Sequence, residues 1–324
     1  MKFGIHSPSF IYNDANIFDG IKKKALWIEA HGFDWFSVMD HMIQIPVHGL
    51  PEEPFMEGWT LLSALAAVTD RIRLSTLVTS TSYRNPALLA KMVANLDIVS
   101  HGRVTLGIGA GWYEAEYKQY GFEYQEKPAE RIYRLEEAIK LIKTMWTEER
   151  ATFHGKYFHV ENAILEPKPS QKPYPPILIG GAGEQLTLRT VARVGNMCNF
   201  IGSPEDVKHK FEVLNQHCVK EGRDYNDIER TVLCNVLIAK DESAVQSKLE
   251  KATLFKGRGL TVDSAKKLFT EYQAASVQML ICSIYQNDVE TLELLSELKE
   301  ELHGRRPTAD RETNGLPSAV GGLI

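Results

Sequence analysis

Asp40 and His41 adjoin at the end of an apolar run, residues 33–39, and a carboxylate beside an imidazole is this chain's clearest means of moving a proton near neutral pH. The same dipeptide also suits a plain turn, with the aspartate capping and the histidine packed. Thr76, Leu77 and Thr79 end a second apolar run, 72–78, where hydroxyls and backbone amides could bond the polar edge of a planar ring. Threonine is equally a common strand residue. A third group, Gly109, Ala110, Gly111 and Trp112, follows run 104–108, offering small residues for close approach of a ligand and an indole to wall it. A fourth, Gly180, Gly181, Ala182 and Gly183, precedes a helix pattern whose free amides and dipole would favour a phosphate. A tight turn explains the fourth group as well.

These groups lie far apart in the chain, so something must gather them. Eight strand-like runs, at 3–6, 33–39, 72–78, 104–108, 177–179, 197–201, 232–239 and 277–284, alternate with helical stripes such as Leu135, Ile139, Ile142 and Trp146. The alternation predicts an α/β protein, a closed (β/α)8 TIM barrel over residues 1–303. Insertions fall after strand two (42–57), strand four and strand seven (240–270), and residues 304–324 read as a flexible tail. Segment 152–160 reads as a small hairpin. In such a barrel the carboxyl ends of the strands share one face, where all four groups and His6 would meet.

Composition narrows the function. With 44% hydrophobic and 24% charged residues, the chain has ample material for a core. A net charge of −5 with dispersed basic residues argues against nucleic acid or an anionic membrane as partner. The start, MKFGIHS, is strand-like, no run reaches membrane-spanning length, and four isolated cysteines fit buried thiols, so a cytosolic protein without a bound metal is expected. Gly107, Gly109 and Gly111 lack the dinucleotide fingerprint's spacing and follow the fourth strand, which speaks against an NAD-binding Rossmann enzyme.

Four motifs, GFDWFSVMDH (32–41), TLVTSTSYRNPALLAK (76–91), GRVTLGIGAGWYEAEY (102–117) and PPILIGGAGEQLTLR (175–189), resemble the bacterial luciferase-like flavin and deazaflavin oxidoreductases. The resemblance implies a barrel binding coenzyme F420, or alternatively FMN, at the carboxyl face, usually as a homodimer. It places Asp40 and His41 beside the ring, Thr79 and 109–112 around it, and 180–183 on the phosphate side. It also implies a non-prolyl cis peptide at Thr76–Leu77. One departure goes with it: the F420-dependent sugar-phosphate dehydrogenases of this group carry a catalytic Glu in the turn where this chain has Trp112. The expected activity is F420-dependent hydride transfer to or from a small organic substrate. The alternatives are an FMN-dependent monooxygenase served by a separate reductase and a catalytically silent flavin-binding protein.

Overall fold

The apolar runs become strands buried on both faces, as a parallel sheet enclosed by helices requires. In the computed structural model, which describes residues 1–10 and 16–304, the chain begins β1 (Lys2–Ser7), α1 (Ile17–Ala30), β2 (Trp35–Val38), α2 (Gly58–Ala66), β3 (Arg73–Thr76), β4 (Thr79–Ser80) and α3 (Pro86–Val99). It continues through β5 (Val104–Gly109), α4 (Glu114–Tyr120), α5 (Pro128–Thr147), β6 (Ala151–His154), β7 (His159–Ala163), β8 (Ile177–Gly180), α6 (Thr187–Val194) and β9 (Met197–Phe200). The last elements are α7 (Pro204–Glu221), β10 (Glu229–Ala239), α8 (Glu242–Lys251), β11 (Arg258–Thr261), α9 (Val262–Ala274), β12 (Met279–Ile284) and α10 (Val289–Leu302).

Eight strands close into a parallel barrel in the order β1, β2, β3, β5, β8, β9, β10, β12, with β12 pairing back onto β1. The (β/α)8 expectation therefore holds. Two layers of core follow from the alternation of side chains along each strand. Trp35, Leu178, Met197, Met279 and Ile281, all from strands, fill the interior. Their neighbours, such as Phe36 and Leu280, pack outward with helix residues including Ile21, Leu62 and Leu295. Side-chain caps start the helices: Asn85 accepts from Ala87 N ahead of Pro86, and Ser203 with Asp206 forms a capping box on α7.

Some boundaries differ from expectation. The insertion after the seventh barrel strand ends at Thr261, because Ala265, Leu268, Phe269 and Tyr272 recur at helical spacing and make α9 the crossover helix. The insertion itself is ordered, with β11 pairing in parallel with the outer half of β10. The third barrel strand is interrupted after Thr76 and resumes as β4 against β5. The hairpin is β6 and β7, antiparallel. The expected tail lies outside the described residues from 305 onward. Among the described residues no helix is long and apolar enough to cross a membrane.

Candidate active site at the carboxyl end of the barrel

A cavity of about 510 Å³ opens among the carboxyl ends of the strands, and Asp40, His41, Leu77, Thr79, Gly111 and Trp112 all line it. That volume lies within the ordinary range for small-molecule and cofactor sites. Asp40 is fully buried and held by Arg84, whose Nη1 donates to Oδ2 at 2.6 Å and Nη2 to Oδ1 at 3.0 Å. The same guanidinium donates to Glu57 and, at 3.2 Å, to Thr79 Oγ1. Burial alone would lower the Arg84 pKa, but the carboxylates of Asp40 and Glu57 outweigh it and raise it. Asp40 is thus half of a closed ion pair that ties the end of β2 to Arg84.

His41 takes its carboxylate partner from elsewhere in the chain. Its Nδ1 lies 2.7 Å from Glu116 Oε2, and Glu116 is fully buried on α4. The Tyr83 hydroxyl donates to the same oxygen, while the backbone N–H groups of Met42 and Ile43 donate to Oε1. Desolvation would raise the Glu116 pKa, but these donors, His41 first, outweigh it and hold the carboxylate below its usual range. Burial and the neighbouring Glu116 carboxylate push the Tyr83 phenol well above its own. Glu116 therefore stays ionised and, being an acceptor only, takes its hydrogen bond from the His41 Nδ1–H, which leaves Nε2 outside that bond. It also ties the start of the loop after β2 to α4, as does Tyr120, whose hydroxyl donates to Met42 O at 3.3 Å.

The floor of the cavity is the break between β3 and β4. The non-prolyl cis peptide is Leu77–Val78, one bond beyond the expected Thr76–Leu77. The reason is local: Leu77 N still donates to Val38 O at 2.9 Å, so the ladder with β2 runs through Leu77 before the chain departs from it. Thr76 does not reach the cavity, since its buried hydroxyl donates to Gly107 O at 2.7 Å. Val78 explains two of the glycines. A Cβ at Gly109 would lie 2.8 Å from Val78 Cγ2, and one at Gly180 would lie 3.0 Å from both Val78 methyls. Their missing side chains make room for an apolar floor and do not themselves border the cavity. Trp112 is a rim residue, 57% exposed, with its ring 6.1 Å from that of His41.

Ala110, Gly181, Ala182 and Gly183 also lie away from the cavity wall. Gly181 N donates to Asn199 O at 2.9 Å and Gly183 O accepts from Leu188 N at 3.0 Å, which makes this turn a joint between β8 and α6. Arg84, Tyr83 and Glu116 carry the site's polar framework yet stood out in no sequence pattern. The available signal was a pair of acids, Glu114 and Glu116, in a seven-residue helix whose buried positions are Glu116 and Tyr117. An acid on the apolar side of so short a helix needs a partner. His6 and His48 also line the cavity. Desolvation, aided by neighbouring positive groups, lowers their pKa values to about 3 and about 4.

The family described as luciferase-like monooxygenase matches residues 1–307. An uncharacterised protein of Mycobacterium tuberculosis is 35% identical over 55% of this chain and 66% of its own length, so the chain spans just under two thirds of that relative. An F420-dependent glucose-6-phosphate dehydrogenase of Microbacterium testaceum is 33% identical over 81% of this chain and 75% of that protein. An FMNH(2)-dependent dimethylsulfone monooxygenase of Pseudomonas putida is 30% identical over 58% and 55%. Among solved structures, an F420-dependent secondary alcohol dehydrogenase superposes with a TM-score of 0.77 at 20% identity, covering 92% of this chain and 97% of that one.

Proposed function

We propose, since the chain belongs to the luciferase-like monooxygenase family, that it is an F420-dependent oxidoreductase acting on a small organic substrate. The observation that carries the reading is His41, locked by the buried Glu116 so that Nε2 is presented beside an apolar floor. The lining suits a flat tricyclic group: Leu77 and Val78 give it a bed, while Thr79 and Ser80 give a polar flank. When bound, F420 supplies hydride chemistry at its C5, which asks for no protein nucleophile. The chain's own part is to hold the reactants, exclude water and manage the proton that accompanies the hydride. In a carbonyl reduction His41 Nε2 delivers that proton to the substrate oxygen; in the reverse direction it accepts it. Glu116 stabilises the imidazolium that either direction passes through.

F420 is favoured by the Microbacterium relative, which matches over more of both chains than the Pseudomonas enzyme. The second reading, an FMN-dependent monooxygenase supplied with reduced flavin by a separate reductase, rests on that Pseudomonas relative. With either reading go two further proposals taken from the family, a homodimer and a cytosolic location. Light scattering checks the first. The central test is His41→Ala: turnover with the bound cofactor should fall by about 10²-fold or more while the cofactor Kd stays within about threefold, because general acid–base groups contribute on that order. Unchanged turnover removes His41 from the reaction.

A further inference from the structure

We infer that the substrate side of the cavity takes an uncharged, mainly apolar organic molecule with one hydrogen-bonding oxygen, and rejects phosphate esters. The inference rests on the oxidoreductase reading only for where the reacting oxygen sits, beside His41. Besides the Leu77–Val78 floor, the apolar lining comprises Leu233, packed with that floor against the barrel interior, and Val47, Trp112 and Ile201. Three of these are unusually open for large apolar side chains: Val47 at 40%, Trp112 at 57% and Ile201 at 63%. Apolar surface gathered at a cavity mouth marks a ligand site, whereas the same residues scattered singly would not.

The charges around this wall are already spent. Arg84, which could otherwise grip an anion, is saturated by Asp40, Glu57 and Thr79. His6 and His48 are kept uncharged by burial, with pKa values near 3 and 4. Asn235 is oriented by its amide, which donates to Lys256 O at 3.1 Å. Among the described residues on the wall, His41 aside, Lys256 is the one side chain free to meet an anion, and it is exposed to water. A phosphate dianion needs several convergent charged donors, of the kind arginine supplies, and its desolvation here would go uncompensated. His48, Asn235 and Ser283 can serve one neutral oxygen.

The test is calorimetric titration of the full chain, with and without added F420 or FMN, using 2-alkanones from propan-2-one to octan-2-one and, separately, glucose 6-phosphate. Affinity should rise about three- to fourfold per added methylene, as burial of a CH₂ predicts, with a negative heat-capacity change. Glucose 6-phosphate should bind at least about 100-fold more weakly than octan-2-one, and Ile201→Asp should flatten the chain-length trend. Salt-sensitive binding of glucose 6-phosphate that is tighter than any alkanone and lost in Lys256→Met overturns the inference. So does a flat chain-length series, or no binding of either class. If neither cofactor binds while the alkanone trend persists, the oxidoreductase reading fails and this inference stands; the opposite pattern separates them the other way.

Discussion

His41 and Glu116 divide one task. The imidazole meets the cavity, and the carboxylate, 2.7 Å from Nδ1, decides which nitrogen does so. Glu116→Gln should therefore lower kcat by about 10²-fold with substrate KM changed within about threefold, because the amide cannot accept four donors or stabilise an imidazolium. Steady-state kinetics checks it, and a change confined to KM would make Glu116 a loop anchor alone. The sequence made His41 legible because it closes a strand next to a second polar residue. It hid Glu116, since a partner contributed by a helix 75 residues away leaves no local pattern. It also suggested the wrong partner: Asp40 is adjacent in sequence yet turned to Arg84. A second residue-level consequence concerns pH. His6 is buried, bonded through Nδ1 to Ser37 Oγ at 3.0 Å, and its pKa falls from 6.5 to about 3 on folding, with desolvation as the main cause. Between those values the unfolded chain holds a proton that the folded chain lacks, so stability is complete above 6.5 and is lost as pH falls toward 3. His6→Asn should reduce the slope of unfolding free energy against pH, over pH 4 to 6, by about 1.4 kcal/mol per unit. Urea titrations at several pH values measure it; an unchanged slope would mean His6 is protonated in the fold.

The elements were more legible than the site, and the difference is physical. A barrel strand covered on both sides must be apolar throughout, so residues 104–108 and 177–179 announce themselves, and crossover helices carry stripes at 3.6-residue spacing. What escaped was the interruption in the third strand and the helical nature of 262–274, where lysines at 266 and 267 mask a four-residue apolar stripe. Gly107 reflects a demand of the interrupted strand: a Cβ there would collide with Thr76 O. At the opposite end of the barrel, Arg103 binds the elements together. Its guanidinium donates to Ile72 O at 2.9 Å, Ala66 O at 2.9 Å, Thr69 O at 2.7 Å and Ser100 O at 2.7 Å, joining the end of α2, the start of β3 and the turn after α3. It also donates to Thr69 Oγ1 at 3.0 Å, and desolvation lowers its pKa, which the negative Glu29 and Asp70 only partly offset. Arg103→Met keeps the stem and strips those carbonyls of a donor, which should cost about 2–4 kcal/mol of stability. Denaturant unfolding with an unchanged m-value is the check, and a loss under about 1 kcal/mol would show that water or neighbouring amides replace the guanidinium.

For the whole molecule, closure is what couples the cavity to stability. Every barrel strand is paired on both sides, and the cavity is lined from β1, β4, β10 and β12 together with the segments that follow β2, β3, β4, β5, β9 and β10. A cofactor bound there touches elements from both ends of the chain. It cannot stay bound once β12 leaves β1, so binding and unfolding are linked. A ligand at 100 times its Kd adds about 2.7 kcal/mol to the folded state. With an unfolding entropy of roughly 2.1 cal/mol/K per residue, a chain of 324 residues should gain about 4 °C in Tm. The two cofactors then become distinguishable without any substrate. F420 at micromolar concentration should produce this rise, and FMN at the same concentration should produce less than about 1 °C. The His41→Ala variant should retain the F420 shift, since the floor of Leu77 and Val78 is intact. A rise with FMN and none with F420 would transfer the assignment to the flavin monooxygenase reading while leaving the His41–Glu116 pair in place. No rise with either would detach the cavity from redox cofactors altogether.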